Sequence, residues 1–176
     1  MYSEYHKAIC EEMIRFSKVP YIIFLGQQVN SENFYNTLNE VPLNLRLELP
    51  VMEECQLGLC TGLALEGFLP ICIYQRMDFL PRATDQLINH LNLLPEMSRG
   101  LFKPKIIIRV TVGTKEPLDV GPQHSQDLTD MYKSILKFPV IKVTTPEEVH
   151  EAYGTAGIID SPIMIVELQN LYNEKC

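Results

Sequence analysis

Two rhythms of apolar residues alternate along the chain. Compact apolar runs at 21–25, 45–51, 69–74, 105–110, 140–143 and 162–168 read as strands, the second limited by Pro50. Between them apolar residues return at helical spacing. Tyr5, Ile9, Met13 and Phe16 do so behind Ser3, a good N-cap. A helix opens at Glu53, and its Gly58, Thr61, Gly62 and Ala64 keep part of its surface small enough for close backbone packing. Residues 79–94 read as one long helix with Pro81 in its first turn, and 125–136 as another. Thr145-Pro146-Glu147-Glu148 is the clearest helix start: Thr145 caps, Pro146 takes the first helical position, and Glu148 completes a capping box for a helix to about 159. Residues 30–44 are rich in Asn and contain Pro42, which predicts a loop around at most a short helix. The alternation predicts a single α/β domain over 1–176. Its architecture is a doubly wound, mainly parallel six-stranded sheet with helices on both faces.

Composition narrows the function classes. A chain of 176 residues, 46% apolar and 21% charged, suits one domain with a substantial core. A formal charge of −7 argues against unspecific nucleic-acid binding. No apolar run approaches the roughly 20 residues that cross a bilayer. Met1-Tyr2-Ser3-Glu4 starts a polar, acidic segment unlike a signal peptide, so the expected place is the cytoplasm. Cys10, Cys55, Cys60, Cys72 and Cys176 are odd in number and hold no close CxxC pair, which predicts free, partly buried thiols and an exposed Cys176. No metal site is expected on this chain.

The candidate chemistry lies in three segments. Glu53 stands between the apolar Leu49-Pro50-Val51-Met52 and the glycine-bearing helix. Gln75, Asp78 and Phe79 follow the third strand, and Gly121-Pro122-Gln123-His124-Ser125-Gln126 ends a long loop. Each has an ordinary reading on its own. An acid at a helix start favours the helix dipole, an aromatic packs in a core, and a loop histidine faces solvent. Glu54, the rival of Glu53, reads as a solvated cap; His6, His90 and His150 read as surface or interface residues.

Taken in register, the segments resemble the pyrimidine-binding domain of thiamine-diphosphate enzymes, and specifically the beta subunits of 2-oxo acid (pyruvate or branched-chain) dehydrogenases. Glu53, Gly58 and Gly62 reproduce that family's Glu, four residues, Gly, three residues, Gly. Gln75, Asp78-Phe79 and Asp85-Gln86 reproduce the pattern after the next strand. The likeness runs from Phe24-Leu25-Gly26 to Met164-Ile165-Val166-Glu167, and Leu171-Tyr172 matches the domain's end.

The resemblance implies thiamine diphosphate as cofactor. Glu53 would be the carboxyl on pyrimidine N1′, shielded from water so that it can share a proton. Phe79 would stack on the pyrimidine, with Gln75 beside the cofactor. His124 would act near the thiazolium on substrate. No Gly-Asp-Gly with a distant Asn occurs, so the resemblance implies half an active site. A diphosphate-binding, alpha-type subunit would carry Mg2+, in a heterotetramer with a second copy of this chain. The substrate would be a 2-oxo acid or ketose, the reaction decarboxylation or acyl or ketol transfer. Transketolase-like relatives are a nearby alternative, although their Glu-Gln-His is absent at Glu53-Glu54-Cys55. A non-catalytic scaffold or regulatory subunit is another. An unrelated nucleotide binder would need a better phosphate loop than Gly26-Gln27-Gln28. Two departures stand out: Gln27 and Gln28 replace acids after the first strand, and Thr114-Lys115-Glu116-Pro117 replaces a glycine-rich loop.

Overall fold

The computed structural model describes residues 1–115 and 119–173, so the expectation for Cys176 and part of that for 114–117 lie outside the described residues. Ser3 caps α1 (Glu4–Phe16), accepting from the His6 N–H at 3.2 Å. The strands are β1 (Ile22–Gly26), β2 (Arg46–Glu48), β3 (Leu69–Tyr74), β4 (Ile107–Val112), β5 (Val140–Lys142) and β6 (Ile163–Leu168). They form one six-stranded sheet in the order β2-β1-β3-β4-β6-β5, parallel at every pairing. The doubly wound α/β expectation is met.

Each face of the sheet buries its own core. Ile71, Ile73, Ile107 and Ile165 pack against α1, α5 (Pro146–Ile158) and the 28–41 segment. Cys72, Ile108, Val110 and Val166 pack on the other side with Leu57 of α2 (Glu53–Leu65), Leu80, Leu87 and Tyr132. With both faces covered, the central strands are buried almost throughout, as a parallel sheet requires.

The capping of α5 is as expected, with one difference. Thr145 accepts from the Glu148 N–H at 3.2 Å, but the Glu148 carboxylate reaches back to the Thr144 N–H and hydroxyl, both at 2.7 Å.

Two predicted helices are corrected. The segment after Phe79 is not one long helix. It is a 3-10 helix (Met77–Ala83), a π-helical stretch (Gln86–Leu91) and the short α3 (Leu94–Met97). Pro81 lacks the N–H that an α-helix needs, and the chain answers with tight turns before and a widened coil after it. The helix predicted from 125 begins only at Thr129, as α4 (Thr129–Ile135). The Gln126 and Leu128 N–H groups are already used, donating to Asp78 Oδ1 (3.1 Å) and Met77 Sδ (2.9 Å).

His6 is also corrected. It is 3% exposed, with Nε2 2.8 Å from the Tyr35 carbonyl oxygen and its ring stacked on Tyr2 at 4.0 Å. The 28–41 segment closes over α1 to bury it. This segment contains four consecutive left-handed residues, Asn33 to Asn36, with φ of 48°, 43°, 53° and 63°. Such backbone costs about 1–2 kcal/mol per residue. The buried Arg46 offsets the cost, donating to Val29 O (3.1 Å), Asn33 Oδ1 (2.6 Å), Val41 O (2.9 Å) and Leu38 O.

Candidate functional site

In a parallel sheet all carboxyl ends share one edge, and ligands bind where the strand order reverses. Here the chain leaves β1 towards β2 on one side and continues through β3 and β4 on the other. Glu53 follows β2, Gln75 to Phe79 follow β3, and His124 lies in the connection after β4. The topology therefore brings all four predicted site residues to the carboxyl edge.

Glu53 starts α2 and is only 3% exposed. The Tyr74 hydroxyl donates to its backbone carbonyl at 3.0 Å and so ties the start of α2 to the end of β3. The carboxylate opens on a cleft of about 630 Å³, walled by Val51, Met52, Leu59, Arg82 and Gln86 among others. Arg82 Nε lies 3.1 Å from Glu53 Oε2, yet the N–H is not aimed at the oxygen. The contact is an ion pair without a hydrogen bond, so Oε2 is buried and unpartnered. The Arg82 side chain is 72% exposed and free to leave, and such a pair adds little stability.

Phe79 and His124 meet directly, ring centroids 5.6 Å apart and edge-on at 88°. His124 Nδ1 is buried without a partner. Asp78 accepts both the backbone N–H and the side-chain amide of Gln126 on Oδ1, each at 3.1 Å, while its Oδ2 is buried and unpartnered. Gln75 is half-buried just after β3. Gln75, Phe79 and His124 do not line the Glu53 cleft, so the structure forms two adjoining groups at one edge.

Sequence reasoning missed three contributors. Arg82 lies three residues after Phe79, and in a 3-10 helix that spacing stacks two side chains on one face. Gly113, directly after β4, is a forced glycine: a Cβ there would stand 1.8 Å from the His124 carbonyl oxygen and 2.8 Å from Arg76 Nη1. Gln126 holds the loop through Asp78. In the sequence Gln126 stands out only as the last residue of the Gly-Pro-x-His-Ser-Gln run and Gly113 only as a glycine ending a strand; nothing marks Arg82.

Of the two uses open to a small-residue surface, packing inside the chain is not the one Gly58 and Gly62 serve. A Cβ on Gly62 would meet nothing within 4 Å, and one on Gly58 would stand an ordinary 3.5 Å from the Gln86 amide oxygen. That face of α2 is open.

A doubly wound parallel sheet with paired carboxyl-edge groups defines an α/β ligand-binding domain. The family model described as "Transketolase, pyrimidine binding domain" matches residues 4–175, and the chain belongs to that family. Among curated proteins it is 34% identical, over 131 residues, to the mitochondrial pyruvate dehydrogenase E1 component subunit beta of Saccharomyces cerevisiae, covering 73% of this chain and 34% of that protein. The chloroplastic subunit beta-3 of Oryza sativa is 29% identical over 180 residues, covering 99% of this chain and 45% of that protein. The chain thus spans less than half the length of these two relatives. The solved structure titled "Split gene transketolase, inactive beta4 tetramer" superposes with a TM-score of 0.71 over 96% of this chain and 52% of that one, at 14% identity. A transketolase from Campylobacter jejuni gives 0.74 over 92% of this chain and 25% of that one, at 15% identity. The thiamine-diphosphate-binding fold read from the sequence is therefore the fold found. No described helix is long and apolar enough to cross a membrane.

Proposed function

We propose that this chain is the pyrimidine-binding subunit of a split thiamine-diphosphate enzyme that acts on a 2-oxo acid or a ketose, working with a separate diphosphate-binding subunit. One observation carries the reading. Among the described residues four buried side-chain polar atoms lack a hydrogen bond, and three belong to Glu53, Asp78 and His124, the Glu53 oxygen having only the exposed Arg82 as an ion-pair neighbour. Buried orphan groups are costly, about 1–3 kcal/mol each. Their gathering at the carboxyl edge fits a site that a bound molecule completes.

When bound, thiamine diphosphate supplies the acidic C–H and electron sink that 2-oxo acid and ketol chemistry needs. Glu53 would hold a proton for the pyrimidine from its water-shielded position, and Phe79 and Gln75, at the same carboxyl edge, would help to hold the ring. His124 donates near the substrate. The magnesium-diphosphate end falls to the partner. The face of α2 around Gly62, which no described residue covers within 4 Å, suits a close contact between subunits in a heterotetramer.

Arg82 favours a second reading, a non-catalytic scaffold, because it gives Glu53 a counter-ion of its own. Reconstitution with the partner separates the two. Glu53→Gln should lower turnover roughly 10²–10⁴-fold and suppress C2 hydrogen–deuterium exchange of bound thiamine diphosphate. Glu54→Gln should be mild. His124→Ala should slow turnover while C2 exchange stays near normal. A loss below about tenfold for Glu53→Gln would reject the catalytic reading in favour of the scaffold.

A further inference from the structure

Three consecutive residues at the start of the 3-10 helix meet alternate residues of the loop after β4. Met77 Sδ faces the Leu128 N–H at 2.9 Å. Asp78 Oδ1 takes the Gln126 N–H and side-chain amide, each at 3.1 Å. The Phe79 ring meets the edge of His124 at 5.6 Å. The pairs 77–128, 78–126 and 79–124 close like teeth running in opposite directions. Gly113 seats the other side of the loop, because only a residue without Cβ lets the His124 carbonyl come so near.

We propose that Asp78 is a positioning residue: by gripping Gln126 it fixes the His124 imidazole against Phe79. The two outer teeth are a thioether, a weak acceptor, and a ring contact. Only the middle one is a charged acceptor receiving two donors, and such bonds are about twice as strong as neutral ones. Without it, residues 124–128 would keep no strong tie to the 3-10 helix. Asp78 stands next to Phe79 in the chain and Gln126 is separated from His124 by Ser125 alone, so the grip transmits its position to His124 over a short stretch of backbone on either side. The placement stands on the chain alone. Only its consequence for catalysis rests on the function proposed above.

The test uses the full chain without cofactor. Asp78→Ala should speed amide hydrogen exchange at Gln126 and Leu128 roughly two- to tenfold, the loss of solvent-exposed hydrogen bonds to a charged group, while core amides of β3 and β4 keep their protection. The His124 ring protons should lose the ring-current shift from Phe79, identified with Phe79→Leu. Asp78→Asn retains a neutral oxygen that can accept both donors and should restore part of the slow exchange and of the shift, falling between wild type and Ala. Gln126→Ala removes one of the two bonds and should give a smaller, equally local effect. In the reconstituted enzyme, Asp78→Ala should depress turnover towards the His124→Ala level with C2 exchange intact. Unchanged loop exchange in Asp78→Ala overturns the proposal, as does an Asn variant as loose as Ala. If Asp78→Ala does not fold, Gln126→Ala decides: selective loosening of residues 124–128 supports the grip, and none overturns it. Loosened loop exchange in Asp78→Ala, with no activity from the reconstituted wild type, would instead fault the functional reading alone.

Discussion

The molecule contains two sets of buried polar groups, and they are built in opposite ways. Under the α1–α5 face, Glu167 is fully enclosed and every lone pair has work. Oε1 accepts from Arg109 Nε (2.8 Å) and the Tyr153 hydroxyl (2.7 Å), and Oε2 accepts from Arg109 Nη2 (2.9 Å) and the Tyr172 hydroxyl. Burial, and then Glu167, push the Tyr153 and Tyr172 phenols far up, so both remain donors. Burial alone would lower the Arg109 guanidinium, but Glu167, together with Tyr153 and Tyr172, outweighs it and keeps it charged. Its one orphan, Nη1, belongs to a guanidinium lying over the Phe34 ring, 4.6 Å from the centroid. At the carboxyl edge Glu53, Asp78 and His124 each retain an unmatched atom. The first set is closed and stabilises; the second is open and awaits a donor or acceptor from outside.

The largest expected effect breaks the closed set. Arg109→Met leaves Glu167 buried with only its tyrosine donors, and removing one partner of a buried pair costs about 3–5 kcal/mol. For a domain of this size the melting temperature should fall by roughly 6–20 °C. Glu53→Gln removes an ill-satisfied buried charge and should leave melting unchanged or slightly higher. Differential scanning calorimetry of the two variants checks the contrast. Equal losses would mean that Glu53 is as structurally fixed as Glu167, and the distinction between closed and open sets would fail.

A second, smaller effect tests how the open set is held. Gly113→Ala would force the His124 carbonyl to move from a Cβ 1.8 Å away. Overpacking of this kind costs about 1–3 kcal/mol. Limited proteolysis should find new cleavage between residues 119 and 128, and turnover in the reconstituted enzyme should fall with C2 exchange preserved. A variant with native protease resistance and turnover would show that the loop has room the structure does not give it.

The closed and open sets also differ in how far the sequence disclosed them. The residues of the open set were legible, because Glu53, Asp78 and His124 belong to short motifs with local spacing. The alternation of strands and helices gave the sheet, whose strands deviate only at their ends. What stayed hidden depends on contacts between distant positions. Arg109 read simply as a residue in an apolar run, and nothing local points to Glu167, 58 residues away. The delayed start of α4 could not be read either, since it follows from Gln126 and Leu128 donating to residues about 50 positions earlier. His6 looked like a surface histidine because the strained 28–41 turn that covers it has no hydrophobic period. Arg82 was hidden by the assumption of a regular helix after Phe79.

The smallest expected effect concerns His6, a polar group that sits beside the closed set without joining it. Burial lowers its basicity below the ordinary histidine value of 6.5, although the Tyr35 carbonyl works the other way. Arg109 lowers it further and Glu167 opposes that. A histidine that is harder to protonate in the folded state binds fewer protons there than when unfolded. Its stabilising contribution is therefore complete above pH 6.5 and is lost as pH falls from that value through the depressed folded one. Melting temperatures between pH 8 and pH 5 should decline more steeply in wild type than in His6→Gln, which cannot titrate. The loss should be local first, since a charged imidazole is costly to keep enclosed and favours opening of the 28–41 segment that covers it, even though the Tyr35 carbonyl still accepts from it. Hydrogen exchange at residues 33–38 should rise on acidification before that of β3 or β4. Parallel pH profiles for wild type and His6→Gln would show that the turn is held by Arg46 alone and that His6 is a passive filler.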